Sequence, residues 1–298
     1  MKVLITGGTV FVSRYTAEYF VKRGHSVYVL NRNTRPQSEG VHLINCDRHH
    51  LGEVLKDKHF DLVIDATAYN KADIKDLVTH LGSFDDYIFI SSSAVYPETL
   101  SQPFVEEYSC GANIHWGEYG LGKIAAEKYL KENVPQAYIL RPPYLYGPMN
   151  NLYREAFVFE CAEKGLPFYI PNDGTMPLQF FHIDDMCRFI EILHNKRPVQ
   201  RVFNVGNPET TDINEWIKIC YHVVGKIPEM KYVTNHSNNN FFSFRDYKYV
   251  LDVSKQCELM PDIKPLDEGL REAYEWYKDH KDLINRKNYL AYIEKNLC

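Results

Sequence analysis

Through the first half of the chain, short apolar runs alternate with stretches in which apolar residues recur three and four positions apart. The runs are KVLI at 2–5, SVYVL at 26–30, HLIN at 42–45, DLVIDA at 61–66 and YIFISS at 87–92, with AYILRPP at 137–143 and RVFNVG at 201–206 further on. Each is short and rich in β-branched and aromatic residues, which predicts strands. They are continuously apolar where a half-exposed strand would alternate, the pattern of strands covered on both faces. Helical patterns at 14–24, near 50–58 and near 71–81 fall between them. Strand, helix, strand in repetition predicts a parallel sheet with crossover helices on both sides.

After about residue 150 the pattern changes. A long helix is predicted over 152–164, short extended pieces with Pro and Gly over 167–181, and helices near 213–225 and 266–282. Asn235–Asn240 is a low-complexity patch, read as a surface loop. The tail from 283 is read as a peripheral helix. The expected fold class is therefore α/β, a doubly wound parallel sheet from 1–150 plus 182–208. A smaller mixed domain is expected from 151–181 plus 209–298, with strand 201–206 returning to the main sheet.

Composition narrows this picture. A chain of 298 residues with 45% hydrophobic content can bury a full core. Seven scattered cysteines show no C-x-x-C pair, which favours reduced thiols over a disulfide frame or a metal site, so no metal is expected. The first apolar run is too short for a signal peptide or a membrane span, and a soluble cytoplasmic protein is the expectation. A net charge of −5 argues against a large nucleic-acid footprint. Tyrosine is abundant, 22 residues against 3 tryptophans, so a tyrosine carries meaning only through its neighbours.

Three stretches carry candidate chemistry. Thr6-Gly7-Gly8-Thr9 ends a strand and opens a helix, which aims free backbone N–H groups and the positive end of the helix dipole at whatever sits there. Pyrophosphate suits such a turn. On a G-x-x-G-x-x-G spacing only Gly7 is in place, and Val10 and Ser13 hold the other two positions. Tyr119 and Lys123 are four apart and fall on one helical face, where a cation would favour the phenolate and make an acid/base for alcohol–ketone chemistry. Tyr277 and Lys281 repeat that spacing without such surroundings. Ser91-Ser92-Ser93 follows a central strand, at the sheet edge where open parallel sheets bind ligands, although serines after a strand are also ordinary turn formers.

Together with Leu140-Arg141-Pro142-Pro143-Tyr144-Leu145-Tyr146-Gly147-Pro148, Phe181-His182-Ile183-Asp184-Asp185 and Phe203-Asn204-Val205-Gly206-Asn207, these stretches resemble the extended short-chain dehydrogenases of the NAD-dependent epimerase/dehydratase type along nearly the whole chain. The resemblance implies a Tyr119 acid/base, a Ser93 that orients the substrate oxygen, and a Lys123 that holds the nicotinamide ribose and lowers the Tyr119 pKa. It implies a dinucleotide held by Gly7, Gly8, Thr9, Val10, Phe11 and Val12 at the turn and by Asn31, Arg32 and Asp47 at the adenosine end. Ala66, Thr67, Ala68, Ser91, Pro142, Tyr144 and Leu145 would line the rest. Ser93, Tyr146, Asn172, Gln179 and Arg245 would meet the substrate, a sugar or nucleotide sugar, and the helices near 71–81 and 115–131 would pair in a homodimer.

Departures point to a subgroup. The segment from Ala66 to Ser91 is short, Leu178 stands where sugar-nucleotide enzymes commonly carry Arg, and Gly7-Gly8-Thr9-Val10-Phe11, Pro171-Asn172-Asp173-Gly174 and Phe244-Arg245-Asp246 resemble the chloroplast stem-loop-binding proteins and their bacterial relatives. Plant members of that subgroup bind and cut RNA and lack the tyrosine; this chain keeps Tyr119 and Lys123. Three functions stand open: an NAD(P)-dependent epimerase, dehydratase or reductase, an RNA-binding protein, and a dinucleotide sensor without turnover. Leu30-Asn31-Arg32-Asn33-Thr34-Arg35 has no acid for a ribose 2′-hydroxyl and two arginines for a 2′-phosphate, which leans toward NADP, although Asn31 can also serve a hydroxyl.

Overall fold

The computed structural model describes residues 1–234 and 240–298. In chain order the first half runs β1 (Lys2–Thr6), α1 (Phe11–Lys22), β2 (Ser26–Asn31), β3 (Val41–Asn45), β4 (His59–Asp65), α2 (Lys71–His80), β5 (Ser83–Ile90), α3 (Gly117–Asn133) and β6 (Tyr138–Arg141). Six of the predicted apolar runs are thus strands of one sheet, and the seventh, β11 (Val202–Asn204), completes it. All neighbours pair in parallel, in the order β11-β6-β5-β4-β1-β2-β3. The order reverses between β1 and β4, which opens a crevice at the carboxyl edge of the sheet.

Continuous apolarity in the strands has its structural counterpart in two cores. One face of the sheet packs Val3, Ile5, Ile64 and Ile88 against α1 and α5 (Ile183–Lys196); the other packs Leu4, Val63, Phe89 and Ile139 against residues of α2 and α3 such as Ile74 and Ala126. Helix α2 starts where it does because Asn70 and Asp73 form a reciprocal capping box. Helix α5 is capped by His182, whose ring accepts the Asp184 N–H.

Whereas α7 (Ser254–Leu259) packs on β11 of the main sheet, the smaller lobe holds β7 (Tyr144–Tyr146), α4 (Glu155–Lys164), β8 (Phe168–Pro171), β9 (Pro177–Leu178), β10 (Phe180–His182), β12 (Thr211–Asp212), α6 (Ile213–Val223), β13 (Met230–Val233), α8 (Leu266–Asp279) and α9 (Tyr289–Asn296). Its strands occur in pairs, β10 with β7, β12 with β9 and β13 with β8. An aromatic core of Trp216, Phe180 and Phe244 joins them. Each such side chain contributes about 1.5–3 kcal/mol on burial.

Two expectations change. Residues 50–58 form a chain of turns with i→i+3 bonds and no helix, because Gly52 takes a left-handed conformation between the buried Leu51 and Leu55. The tail is a helix, α9, but it is not merely peripheral: Tyr289 stacks on Tyr153 at 5.6 Å, and Asn285 bonds the Asn151 carbonyl. The low-complexity patch lies outside the described residues except for Asn240. Among the described residues no helix is long and apolar enough to cross a membrane.

Candidate active site

Two hollows lie at the carboxyl edge of the sheet. The larger, about 510 Å³, lies between the sheet and the smaller lobe, and the smaller, about 380 Å³, lies beside β2.

The turn after β1 shapes the space between them. Gly7 and Gly8 take φ of +90° and +94°, and an added Cβ would collide with Ser13 and Thr67 or with Val29. Val10 is extended, a conformation open to any residue, so its side chain is tolerated; the left-handed strain falls on Phe11, at φ +30°. Ser13 in place of glycine bonds the Val10 carbonyl and sits against Gly7, so helix and strand stay close. No side chain caps α1 and no acid lies in its first turn, which leaves the helix start available to an anion. These residues fit a dinucleotide pyrophosphate.

Phe11, Val12, Ala66, Ser91, Pro142, Tyr144 and Leu145 line the larger cleft, together with Ser93, Tyr119, Lys123 and Arg245. Gly7, Thr9, Asn31, Arg32, Asp47 and Thr67 line the smaller hollow. Ala68 is buried and presents its carbonyl to Lys123. Three expected substrate contacts do not fall on the lining of the larger cleft. Tyr146 is fully buried against His182. Gln179 spends its amide on the backbone of Asn207 and Leu251. Asn172 bonds Asp246 outside the cleft.

Helix α3 brings Tyr119 and Lys123 to the cleft on one face, and two glycines let it do so. A Cβ at Gly120 would lie 2.6 Å from the Ala94 carbonyl, and one at Gly122 would collide with the Tyr69 carbonyl. The helix therefore rests directly on the loops after β5 and β4. Lys123 is buried, and its Nζ donates to the carbonyls of Ala68 at 2.7 Å and Ile90 at 2.8 Å. Burial pulls its pKa down to about 8, against the opposing pull of Asp65.

In this geometry the shift of Tyr119 comes first from its enclosure, with Lys123 at a distance. Lys123 Nζ lies 5.9 Å from the Tyr119 ring centre, and enclosure raises the phenol pKa, with the Ser92 hydroxyl opposing. The three serines divide the work: Ser91 donates to the buried Glu127 at 2.6 Å, Ser92 faces Tyr119, and Ser93 faces Tyr249. Glu127 also receives Arg141 at 2.6 Å, which locks α3 to β6.

Sequence reasoning missed Tyr69, Trp116, Arg154, Tyr249, Lys287 and Tyr289, all on the cleft wall. Among the described residues the cations of the wall are Lys123, Arg154, Arg245 and Lys287, and no carboxylate joins them. Arg154 is committed to Glu155 and the Leu145 carbonyl, whereas the Arg245 guanidinium stands over Trp116 at 5.0 Å.

The family model for the NAD dependent epimerase/dehydratase family matches residues 3–206. The chain is 26% identical to the chloroplast stem-loop binding protein of 41 kDa b from Arabidopsis thaliana, over 92% of this chain and 78% of that protein. It is 24% identical to a putative UDP-glucose 4-epimerase of Methanocaldococcus jannaschii, over 93% of this chain and 99% of that one. Among solved structures, a dTDP-glucose 4,6-dehydratase from Bacillus anthracis in complex with NAD superposes with a TM-score of 0.76 at 19% identity, covering 95% of this chain and 98% of that one. A UDP-glucose 4-epimerase from Thermotoga maritima with UDP-glucose gives 0.74 at 20% identity, covering 94% and 99%. The match over residues 3–206, on a sheet whose crevice holds the turn, the serines and the Tyr119–Lys123 pair, places the chain in the NAD dependent epimerase/dehydratase family.

Proposed function

We propose that this chain is an NAD(P)-dependent enzyme that interconverts a hydroxyl and a carbonyl on a sugar or nucleotide-sugar-like substrate, as an epimerase, dehydratase or reductase. The observation that carries the reading is the convergence of Tyr119, Lys123 and Ser93 on one cleft with the turn residues Phe11 and Val12. When bound, the cofactor supplies the hydride acceptor or donor. Tyr119 is the acid/base, exchanging its proton with the substrate oxygen. Ser93, which lines the same cleft, orients that oxygen, and Ser92 is the hydroxyl that favours the Tyr119 phenolate. Lys123 holds its charge behind the tyrosine on two carbonyls, one of which belongs to the loop after β4. The cationic wall suits an anionic substrate, with Arg245 as the guanidinium fork for phosphate.

For the cofactor form, Asn31 is fully engaged: its amide donates to the Gly7 carbonyl at 2.7 Å and to Gln37 at 2.9 Å, and its oxygen accepts the Asn33 N–H. Arg32 and Arg35 line the same hollow and form no ion pair within 4 Å among the described residues. This supports NADP over NAD. The relative named for stem-loop binding supports RNA binding as the second reading.

The test is turnover of UDP-, GDP- and dTDP-sugars and their keto forms, followed by dinucleotide absorbance, by the parent and by Tyr119→Phe. The expected result is loss of about a hundredfold or more in kcat, on the scale of general acid/base catalysis, with dinucleotide affinity unchanged. Equal turnover by the two proteins overturns the acid/base role. Tight dinucleotide binding with no turnover of any sugar by the parent favours the sensor.

A further inference from the structure

Arg48, on the loop after β3, belongs to neither the turn nor the Tyr119–Lys123 pair, yet it touches the surroundings of both. Its Nη2 donates to Asp65 Oδ2 at 2.9 Å and to the Asp73 carbonyl at 2.6 Å. Its Nη1 donates to Asp65 Oδ1 at 3.2 Å and to Thr67 Oγ1 at 3.0 Å. Asp65 ends β4, is fully buried, and also receives Thr6 Oγ1 and the Tyr87 hydroxyl at 2.8 Å each. One guanidinium thus fastens the end of β4, the loop that follows it and the first turn of α2.

That loop serves both ends of the crevice. Thr67 lines the smaller hollow, and Arg48 itself forms part of the same wall beside Gly7 and Asp47. Ala66 lines the larger cleft, and the Ala68 carbonyl holds Lys123 Nζ. A buried ion pair is seldom more stabilising than well-packed apolar residues of equal volume, whereas a planar fork with four bonds fixes geometry. Placement is the better account of this one.

We propose that Arg48 is a positioning residue that couples occupancy of the smaller hollow by an adenosine phosphate to the placement of Lys123 in the larger cleft. The proposal rests on the reading of the crevice as a dinucleotide site. Filling the smaller hollow presses on a wall made of Arg48 and Thr67. Their bonds to Asp65 and Asp73 transmit that constraint to the Ala66–Asn70 loop, and the Ala68 carbonyl passes it to Lys123.

The experiment uses ADP as the probe of the smaller hollow and nicotinamide mononucleotide as the probe of the larger cleft, each titrated calorimetrically alone and with the other saturating. In the parent, saturating ADP is expected to tighten nicotinamide mononucleotide by about fivefold or more, the lower range of measured site–site coupling. Arg48→Lys keeps a cation for Asp65 and loses the fork to Thr67 and the Asp73 carbonyl. It is expected to retain affinity for nicotinamide mononucleotide alone, to bind ADP about tenfold more weakly, and to show no coupling. Arg48→Met with Asp65→Asn removes both charges together, guards against an unpaired buried carboxylate, and is also expected to lose coupling. Parent-like coupling in either folded variant overturns the proposal, as does independent binding of the two probes to the parent. If the parent binds neither probe nor the whole dinucleotide, the dinucleotide reading itself falls and takes the proposal with it.

Discussion

Lys123 shows how far one residue's chemistry was legible before its surroundings were known. Its spacing from Tyr119 predicted a shared helical face, and both side chains do line one cleft. What spacing could not convey is that the ammonium is turned onto the carbonyls of Ala68 and Ile90, residues 55 and 33 positions away in the chain. Tyr249 and Lys287 escaped for a related reason: they reach the wall through long-range packing, and among 22 tyrosines no local signal marks one of them. The lysine's environment has a measurable consequence. Burial lowers its pKa from 10.5 to about 8, so below pH 8 the fold carries a protonated lysine at a cost, on the order of 3 kcal/mol at most. Between the two values the unfolded chain binds more protons than the folded one, and stability contributed at this site rises with pH. Relative to Lys123→Met, the parent is therefore expected to gain in melting temperature as pH is raised from about 7 to about 10. A difference between the two proteins that stays constant over that range would remove the case for a depressed lysine.

Elements were read well where pattern and packing agree, and poorly where a single residue overrode the pattern. The seven apolar runs are the seven strands of the sheet, since a run covered on both sides has little alternative. At 50–58 the apolar spacing of Leu51 and Leu55 suggested a helix, and Gly52 in the left-handed region breaks it into turns. The Tyr-Gly-Leu-Gly-Lys stretch holds the opposite lesson. Its glycines are unfavourable inside a helix, by about 1 kcal/mol each against alanine, and α3 keeps them because they let it lie on two loop carbonyls. Gly122→Ala is therefore expected to destabilise the protein, although alanine is the better helix former. Overpacking against the Tyr69 carbonyl should cost about 1–3 kcal/mol and weaken dinucleotide binding by displacing the loop that holds Lys123. A variant with a raised melting temperature and parent-like binding would show that helix propensity, and not the close approach, governs this position.

At the scale of the whole molecule, family membership leaves two kinds of ligand in contention, and they act through different physics. A dinucleotide at 100 times its dissociation constant stabilises the folded state by about 2.7 kcal/mol. At about 2–4 °C per kcal/mol for a large domain, that is a rise of roughly 5–10 °C in melting temperature, and it changes little with salt. RNA binding draws on phosphate neutralisation, so its affinity falls steeply as salt rises. A chain of net charge −5 sets a general repulsion against a polyanion, so a stem-loop RNA would have to rely on local cationic stretches such as the cleft beside Tyr119. The expected outcome at near-physiological salt is a clear upward shift with NADP, a smaller one with NAD, and none with a stem-loop RNA. Arg32→Ala should bring the two dinucleotide shifts together by weakening NADP alone, since Asn31 already spends its amide on Gly7 and Gln37 and offers a 2′-hydroxyl no substitute. If RNA instead raises the melting temperature at low salt, loses that effect as salt increases, and neither dinucleotide shifts it, then the turn after β1 keeps its shape without its guest and the second reading takes the first place.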